Sequence, residues 1–436
     1  MASLRGLLVD VGPLRESRDF RLLWFGQLVS MVGVQIVMVA VPYQVYLLTH
    51  SSLAVGVLGL FQAVPLVIAG LYGGTLVDRF DRRRVMIVTK ALIAAGSLLF
   101  AAGAIGLRAP LLFVYLVAGA VAGLSTVEHS SRTAMVARMM PGRQLPAALS
   151  LVQVLFQLAQ VAGPSLAGLV IAEAGLAWAY GLDVSLFLAS FLLLWGLSPQ
   201  PPLPGPRPVM GWRAPAEALG FVARNPVLVG IFAIDLNAMI FGLPRALFPA
   251  LATSVYRVGP AGLGLLYAAP GAGALVGSLL TGWVAGARRQ GLAIILAVAG
   301  WGLAITIFGL SAPVFWVGLL MLALAGASDM FSAIFRHTIL QTEAPDSLRG
   351  RMSAFNSMVV TTGPRLGDLE AGAVAQLTST TFSVVSGGVV CVLGAALIAL
   401  AIPALRRRES GYSVPNSSTE NTSVAPGGIG PTPRSP

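Results

Sequence analysis

The side chains with the clearest chemical potential in this sequence are ionisable groups that interrupt long apolar runs. A charge at the depth of a lipid bilayer is costly unless it is paired or hydrated, so such residues are treated as functional by default. Six of them are candidates for coupling to protons or for lining a substrate cavity: Asp235, Asp329, Arg245, Asp368, Glu370 and Glu128.

Asp235 and Asp329 carry the main hypothesis. Each lies near the middle of its apolar run, and we expect neither to have a basic partner close by in its own helix. Desolvation disfavours the charged form of a carboxyl group, which allows such a group to exchange protons near neutral pH. We therefore expect Asp235, with Asp329 second, to link proton movement to substrate release.

The other candidates also have structural explanations. Glu128 and Arg132 are four residues apart and can form an i, i+4 pair; a pair at the inner surface is favoured over a proton carrier. Arg245 can neutralise Asp368 or Glu370, with which it shares the outer part of the membrane. Asp183, which is not a candidate, is expected near the outer end of the sixth run, facing water.

The composition requires a lipid environment for these residues. The chain has 436 residues, of which 56% are hydrophobic and 10% are charged, and its mean hydropathy is +0.82. Soluble domains carry about 25% charged residues, so a water-soluble globular protein is excluded. Since a membrane-spanning helix needs roughly 20 apolar residues, the length accommodates about a dozen spans. The sequence predicts an all-α, polytopic membrane protein.

Apolar runs broken by Gly, Pro and Arg predict twelve spans and their orientation. With the N-terminus in the cytoplasm, 24 of the 28 basic residues fall on the cytoplasmic side, among them Lys90, Arg132 and Arg336. This asymmetry is typical of the positive-inside rule, and it predicts that both termini are cytoplasmic. The spans are expected at 20–48, 53–77, 85–106, 110–139, 145–172, 177–197, 220–250, 258–286, 291–310, 313–341, 352–377 and 381–404.

The predicted spans form two similar halves. Arg132 and Arg336 are each followed nine residues later by a proline, and the pairs Gly163-Pro164 and Gly363-Pro364 lie two hundred residues apart. A duplicated six-helix unit is typical of transporters whose site lies between the repeats. The predicted order is a cytoplasmic N-terminus (1–19), a six-helix bundle (20–197), a Pro-rich cytoplasmic linker (198–219), a second bundle (220–405) and a disordered cytoplasmic tail (406–436).

The most specific motif lies between the second and third spans, at Gly74-Thr-Leu-Val-Asp-Arg-Phe-Asp-Arg-Arg-Arg84. Glycines such as Gly73 and Gly74 let a neighbouring helix approach closely. Asp78 ends the helix, where its carboxylate can bind arginines or a helix N-terminus. The motif is predicted to be a cytoplasmic gate formed by Gly74, Asp78, Arg79, Arg82 and Arg83; the alternative is a charged loop that only fixes topology.

This segment resembles the conserved loop of the major facilitator superfamily, with Asp81 in place of that loop's second Gly. Gly163-Pro-Ser-Leu-Ala-Gly168 resembles the fifth-helix motif of the superfamily's exporters, represented here by Gly163, Pro164 and Gly168; a plain packing kink is the alternative. Three more stretches, at 39–52, 245–252 and 340–351, are similar to siderophore exporters of that superfamily. The resemblance implies two six-helix bundles that work by alternating access.

The resemblance implies a secondary transporter that exports a siderophore-like or drug-like amphipathic molecule in exchange for protons. The alternatives are a proton-coupled uptake symporter of the same fold and, more remotely, a membrane enzyme or scaffold. The only lysine follows Thr89, so no P-loop is present, and the three histidines are dispersed. We expect no metal, cofactor or nucleic-acid partner, and a monomer in the inner (plasma) membrane of a bacterium whose partners are substrate, protons and lipid.

Overall fold

A computed structural model describes residues 10–105, 109–201, 213–280, 287–346 and 348–409. Several predicted features lie outside these described residues in whole or in part. They are residues 1–9 of the N-terminus, residue 106 at the end of the predicted third span, residues 202–212 of the linker, residues 281–286 at the end of the predicted eighth span and residues 410–436 of the tail.

Twelve long helices and no strand are found in the described ranges, which confirms the predicted all-α fold. The first half comprises α1 (Arg18–Thr49), α2 (Ser52–Arg79), α3 (Arg82–Ile105), α4 (Leu111–Met139), α5 (Leu145–Ala174) and α6 (Leu176–Trp195). The second half comprises α7 (Pro226–Val255), α8 (Gly259–Leu279), α9 (Gln290–Leu310), α10 (Phe315–Glu343), α11 (Arg349–Leu377) and α12 (Thr380–Ala401).

Eleven of these helices are long and apolar enough to cross a membrane. The exception, α11, has 29 residues but is more polar, because it carries Arg365, Asp368 and Glu370. It packs against α2, α7 and α12, and Arg365 Nη1 lies 3.8 Å from Asp368 Oδ2. Its length and its place in the bundle make α11 the twelfth span.

The seventh helix is interrupted near Arg245. Its regular part ends at Phe241, and a short 3-10 turn and a π turn lead to Val255. Proline cannot donate a backbone hydrogen bond, so Pro244 and Pro249 prevent a regular helix here. The freed backbone groups find other partners: Trp301 donates its indole N–H to the Gly242 carbonyl at 2.7 Å. The Asp368 carboxylate accepts from the Ala246 N–H at 3.0 Å.

One end of the protein is rich in arginine, and we call it the basic end. It is formed by the turn at 80–81, the loop at 140–144, the residues after α6 and the additional helix Arg213–Arg224. Contacts hold these segments together; Arg83, for example, donates to the carbonyls of Leu194 and Trp195. The opposite end carries the turns after α1, α5 and α11.

The helix Arg213–Arg224 changes the predicted boundary between the linker and the seventh span. The last part of the predicted linker is helical, and α7 begins at Pro226 after Asn225, whose side chain accepts hydrogen bonds from the first turn. Glu217 of this helix forms an ion pair with Arg351 of α11. The segment is therefore fixed against the second half.

Candidate functional site

A cavity of about 700 Å³ lies between the two halves, lined chiefly by α1, α2, α4 and α11. Its wall is mainly apolar. The polar side chains in it are Gln35, Gln62, Ser125, Thr126, His129, Ser130, Asn356, Ser357, Thr361 and Arg365. A cavity of this size and composition suits a drug-sized amphipathic molecule.

The cavity extends toward the basic end, where Pro215 and Ala354 line it. At the opposite end the halves touch directly. Ser51 of the α1–α2 turn donates to Gln376 of α11 at 3.0 Å. The pathway is thus reached from the basic end.

Two helix pairs complete the closure of the opposite end: α2 with α11, and α5 with α8. Gly56 of α2 lies so near α11 that an added methyl group would be 2.5 Å from the Asp368 carbonyl oxygen. Gly168 of α5 is equally close to α8, where a methyl group would be 2.7 Å from the Pro260 carbonyl oxygen. Small residues permit this approach of helix backbones.

Arg365 is the only charged side chain among the described residues that line the cavity. Its partner is Asp368, which also binds the interrupted part of α7. The contact partner of Asp368 is Arg365, and not Arg245 as expected, although Arg245 lies near enough to act on Asp368 as a second positive charge. Arg245 contributes its carbonyl oxygen, which accepts a hydrogen bond from Tyr267 at 3.3 Å. Glu370 is half-buried.

Lys90, Glu128 and Arg132 form a buried polar cluster in the first half. Lys90 Nζ lies 3.6 Å from Glu128 Oε1, and Arg132 Nη1 lies 3.9 Å from Glu128 Oε2. The predicted i, i+4 pair therefore exists. Lys90 and Arg132, which were counted with the cytoplasmic basic clusters, are only 1% and 7% exposed, so they lie in the interior of the bundle and not in a loop. The sequence did contain a signal for the burial of Lys90, because the only lysine of the chain lies inside a predicted span.

Asp235, Asp329 and Arg336 form the corresponding cluster in the second half. Arg336 forms an ion pair with Asp235, and its Nη2 lies 3.3 Å from Asp329 Oδ1. The expectation that Asp329 lacks a basic partner in its own helix is wrong, because Arg336 also belongs to α10. Within the described structure, Asp235 has no ion pair in its own helix, and its partner Arg336 comes from α10. Residues seven apart lie on one helix face, and this spacing could have linked Arg336 to Asp329.

Asp183 is fully buried in α6, so the expectation that it faces water is wrong. Its side chain lies against Gly33 of α1, where a methyl group would overlap the carboxylate. Ser97 of α3 is the polar side chain that interacts with this carboxylate. A glycine facing a carboxylate on a distant helix leaves no local sequence pattern, so this contact was not predictable.

The predicted gate motif lies at the basic end, within the first half. Asp78 accepts a hydrogen bond from Arg82 at 3.2 Å, which joins the end of α2 to the start of α3. Arg79 is exposed, and a methyl group at Gly74 would have no neighbour within 4 Å. Of the two glycines, it is Gly73 that permits close packing, against Val127 of α4.

Asp81, which departs from the family pattern, has a definite structural role. Its carboxylate accepts from the Arg84 N–H at 3.2 Å and from the Gln200 N–H at 3.0 Å. It thus caps α3 and fixes the segment after α6. A glycine could make neither side-chain bond.

The segment from Gly163 to Gly168 packs α5 between two helices. A methyl group at Gly163 would overlap Gln35 of α1, whereas Gly168 faces Gly264 of α8. Pro164 lies within α5, and its carbonyl oxygen would be 2.5 Å from a methyl group on Gly264. The motif therefore lies at the junction of the two halves.

Comparison with known proteins identifies the architecture. The profile of the Major Facilitator Superfamily matches residues 23–367. The enterobactin exporter EntS of Citrobacter koseri is 31% identical over 416 residues, which cover 94% of this chain and 98% of the exporter. The enterobactin exporter EntS of Salmonella typhimurium is 30% identical over 407 residues, covering 92% and 96% respectively.

Solved structures share the fold at low sequence identity. A POT family transporter in complex with 5-aminolevulinic acid matches with a TM-score of 0.71 and 10% identity, covering 89% of this chain and 96% of that one. A bacterial homologue of the human lysosomal transporter Spinster, in an inward-facing and unoccupied conformation, matches with a TM-score of 0.70 and 14% identity, covering 91% and 99%. The chain therefore belongs to the major facilitator superfamily, as a multi-pass inner-membrane transporter of small molecules and not an enzyme.

Proposed function

We propose that this transporter exports a siderophore-like amphipathic molecule by alternating access, in exchange for protons. The observation that carries the proposal is the cavity of about 700 Å³ that is reached from the basic end and closed at the opposite end. Export would require the helix pairs α2/α11 and α5/α8 to separate at the opposite end while the basic end closes.

The positive-inside rule supports the direction of this proposal. It favours a cytoplasmic location for the arginine-rich loops, and with them both termini. In that orientation the cavity opens toward the cytoplasm, where an exporter takes up its cargo. The gate motif around Asp78 and Arg82 would then lie at the cytoplasmic entrance.

The cargo class is supported by the relatives and by the cavity wall. Two relatives that align along nearly the whole chain are enterobactin exporters. The cavity has a mainly apolar wall with one charged group, Arg365. This combination favours a molecule with both apolar and polar parts over a small hydrophilic solute.

Proton coupling is supported by the cluster in the second half. Two carboxylates, Asp235 and Asp329, share one guanidinium, Arg336, which leaves one negative charge in excess. Binding one proton neutralises this excess, so the cluster has the capacity to carry a proton in exchange for cargo. Because both halves of the pathway belong to one chain, we expect a monomer to function.

Proteoliposomes with an imposed pH gradient test the coupling, with enterobactin as the probe. In an antiporter, protons leave acid-loaded liposomes as the probe enters, so we expect accumulation in liposomes that are acidic inside. Accumulation only in liposomes that are alkaline inside would instead indicate a symporter. Lack of gradient-driven accumulation with either polarity would overturn the coupled antiport.

Cysteine labelling tests the orientation. Cys391 is the only cysteine and is buried, so replacing it with serine gives a clean background. Arg84 at the basic end and Thr378 at the opposite end are both exposed. In intact cells, a membrane-impermeant maleimide should label Thr378→Cys and spare Arg84→Cys; the reverse pattern would overturn the proposed direction.

A further inference from the structure

A side pocket of about 190 Å³ opens within the first half. It shares Val34, Gln35, Ser125 and His129 with the wall of the central cavity, so the two spaces adjoin. A group attached to a molecule in the central cavity can therefore enter the side pocket.

Two cations and one carboxylate line this pocket. The Lys90 ammonium donates to Ser30 Oγ at 2.6 Å and lies 5.5 Å from the centre of the Phe187 ring. Glu128 lies between Lys90 and Arg132, at 3.6 Å and 3.9 Å. Because Lys90 has three N–H donors, its contacts leave capacity for a further acceptor.

The charges of the pocket do not balance. Arg132 has a neutral second partner, since Gln27 accepts from its guanidinium when the amide oxygen is turned toward it. His129 also lines the pocket. Asp183, the other buried acid in this part of the first half, lies one helical turn from Phe187 and forms no ion pair with Lys90 within 4.0 Å in the described structure. One positive charge is left without a carboxylate at contact distance.

The remaining wall of the pocket is mainly apolar and partly aromatic, with Met31, Val34, Ile93, Phe156 and Phe187, and it also includes the amide of Gln160. An uncompensated cation inside a protein is stabilised by an anion that enters with it, and aromatic walls favour a flat apolar ring. The volume limits the guest to a group about as large as a substituted aromatic ring.

We propose that the side pocket is a subsite for an acidic aromatic group of the cargo, with Lys90 as its principal partner and Arg132 as the second. The proposal rests on the proposed transport function, which it deepens by assigning a charge to one part of the cargo. Glu128 competes with the acid for both cations and holds them in position when the pocket is empty.

Binding of two matched probes tests the subsite: 1-naphthoate, an aromatic acid, and 1-naphthamide, its neutral analogue. Purified protein in lipid nanodiscs is titrated with each probe. We expect the wild-type protein to prefer the acid, and Lys90→Met to weaken acid binding about tenfold while amide binding stays unchanged, because a charged hydrogen bond is lost. Lys90→Arg should retain the preference, and Arg84→Gln, which removes an exposed cation elsewhere, should have no effect.

Glu128→Gln provides a test of opposite sign. Removing the competing carboxylate should strengthen acid binding several-fold without changing amide binding, an increase that misfolding cannot produce. Equal or absent binding of the acid by the wild-type protein, or an unchanged acid-to-amide ratio in both variants, would overturn the subsite. Because these titrations require no flux, a protein that transports enterobactin but fails them refutes only the subsite, whereas selective binding without transport under any gradient refutes the proposed function.

Discussion

Gly168 and Gly264 face each other where the two halves meet, and a methyl group on either glycine would lie 2.8 Å from the Cα of the other. Such backbone contact between α5 and α8 is possible only for residues without a side chain. Together with the α2/α11 contact, it closes the opposite end of the cavity. Alternating access requires this contact to break and re-form.

We first predict that Gly168→Ala opens the opposite end more often. The added methyl group conflicts with backbone atoms of α8, which a side-chain rotation cannot relieve. A cysteine at Ser51, near the opposite end and introduced with Cys391→Ser, should react several-fold faster with a membrane-impermeant maleimide in the Gly168→Ala protein.

Gly181→Ala is the matched control, since a methyl group at Gly181 has no neighbour within 4 Å. The reactivity of the Ser51→Cys reporter should not change in this variant. Equal reactivity in the Gly168→Ala and Gly181→Ala proteins would show that the Gly168–Gly264 contact does not restrain the opposite end.

The ion pair between Asp78 and Arg82 leads to a second prediction. The Asp78 side chain is 43% exposed, whereas the Arg82 side chain is only 9% exposed. Because water reaches the carboxylate, we expect the pair to contribute about 1 kcal/mol to stability. If the pair acts as a gate, Asp78→Asn should slow gradient-driven transport several-fold while the midpoint of thermal unfolding stays nearly constant. Transport at the wild-type rate would leave the motif with a topological role only.

Arg83 provides the contrasting variant for that experiment. It donates to the Leu194 and Trp195 carbonyls and so holds the end of α6. Arg83→Ala should lower the unfolding midpoint, in contrast to Asp78→Asn. The two variants separate a gating role from a structural one within the same motif.

The sequence was sufficient to predict the positions of the helices and the ion pairs between residues that are close in the chain. Hydropathy located twelve spans, and the i, i+4 spacing predicted the Glu128–Arg132 pair, because both depend on residues that are near each other in the chain. The ion pairs of Lys90 and Asp235 were not predicted, because they depend on residues that are far apart in the chain. Their partners, Glu128 and Arg336, lie on helices far away in sequence, and only packing of the bundle brings them together.

The rule that assigned charges to loops also explains why the burial of three basic residues was not predicted. Positive-inside counting treats every basic residue near a predicted span end as exposed to the cytoplasm. Lys90, Arg132 and Arg336 lie a turn or more inside their helices, where a nearby carboxylate makes burial tolerable. Counting charges cannot distinguish such residues from loop residues, because their burial depends on a nearby carboxylate that the count does not consider.

A third prediction concerns Asp235 and Asp329 as proton carriers. Replacing the carrier with asparagine removes the group that binds the proton while keeping the size of the side chain. Such a variant should lose accumulation driven by a pH gradient, yet still exchange labelled for unlabelled enterobactin across the membrane. We expect this behaviour for Asp235→Asn and, second, for Asp329→Asn, whose side chain is 43% exposed.

The control for this experiment is Glu370→Gln, which alters a half-buried acid outside the cluster. It should keep gradient-driven accumulation. If both aspartate variants accumulate enterobactin as well as the wild-type protein does, the cluster of Asp235, Asp329 and Arg336 has no part in proton coupling, whatever the result for Glu370→Gln.

The final prediction concerns the structural contribution of Arg336. Removing one member of a buried ion pair costs about 3–5 kcal/mol, because the remaining charge is left uncompensated. Arg336→Met leaves Asp235, which is only 3% exposed, without its cation, and it should strongly lower the free energy of unfolding. Adding Asp235→Asn removes that buried charge, so the double variant should be more stable than Arg336→Met alone. A double-mutant cycle measured by denaturant unfolding in one detergent would give additive effects only if the two side chains did not interact.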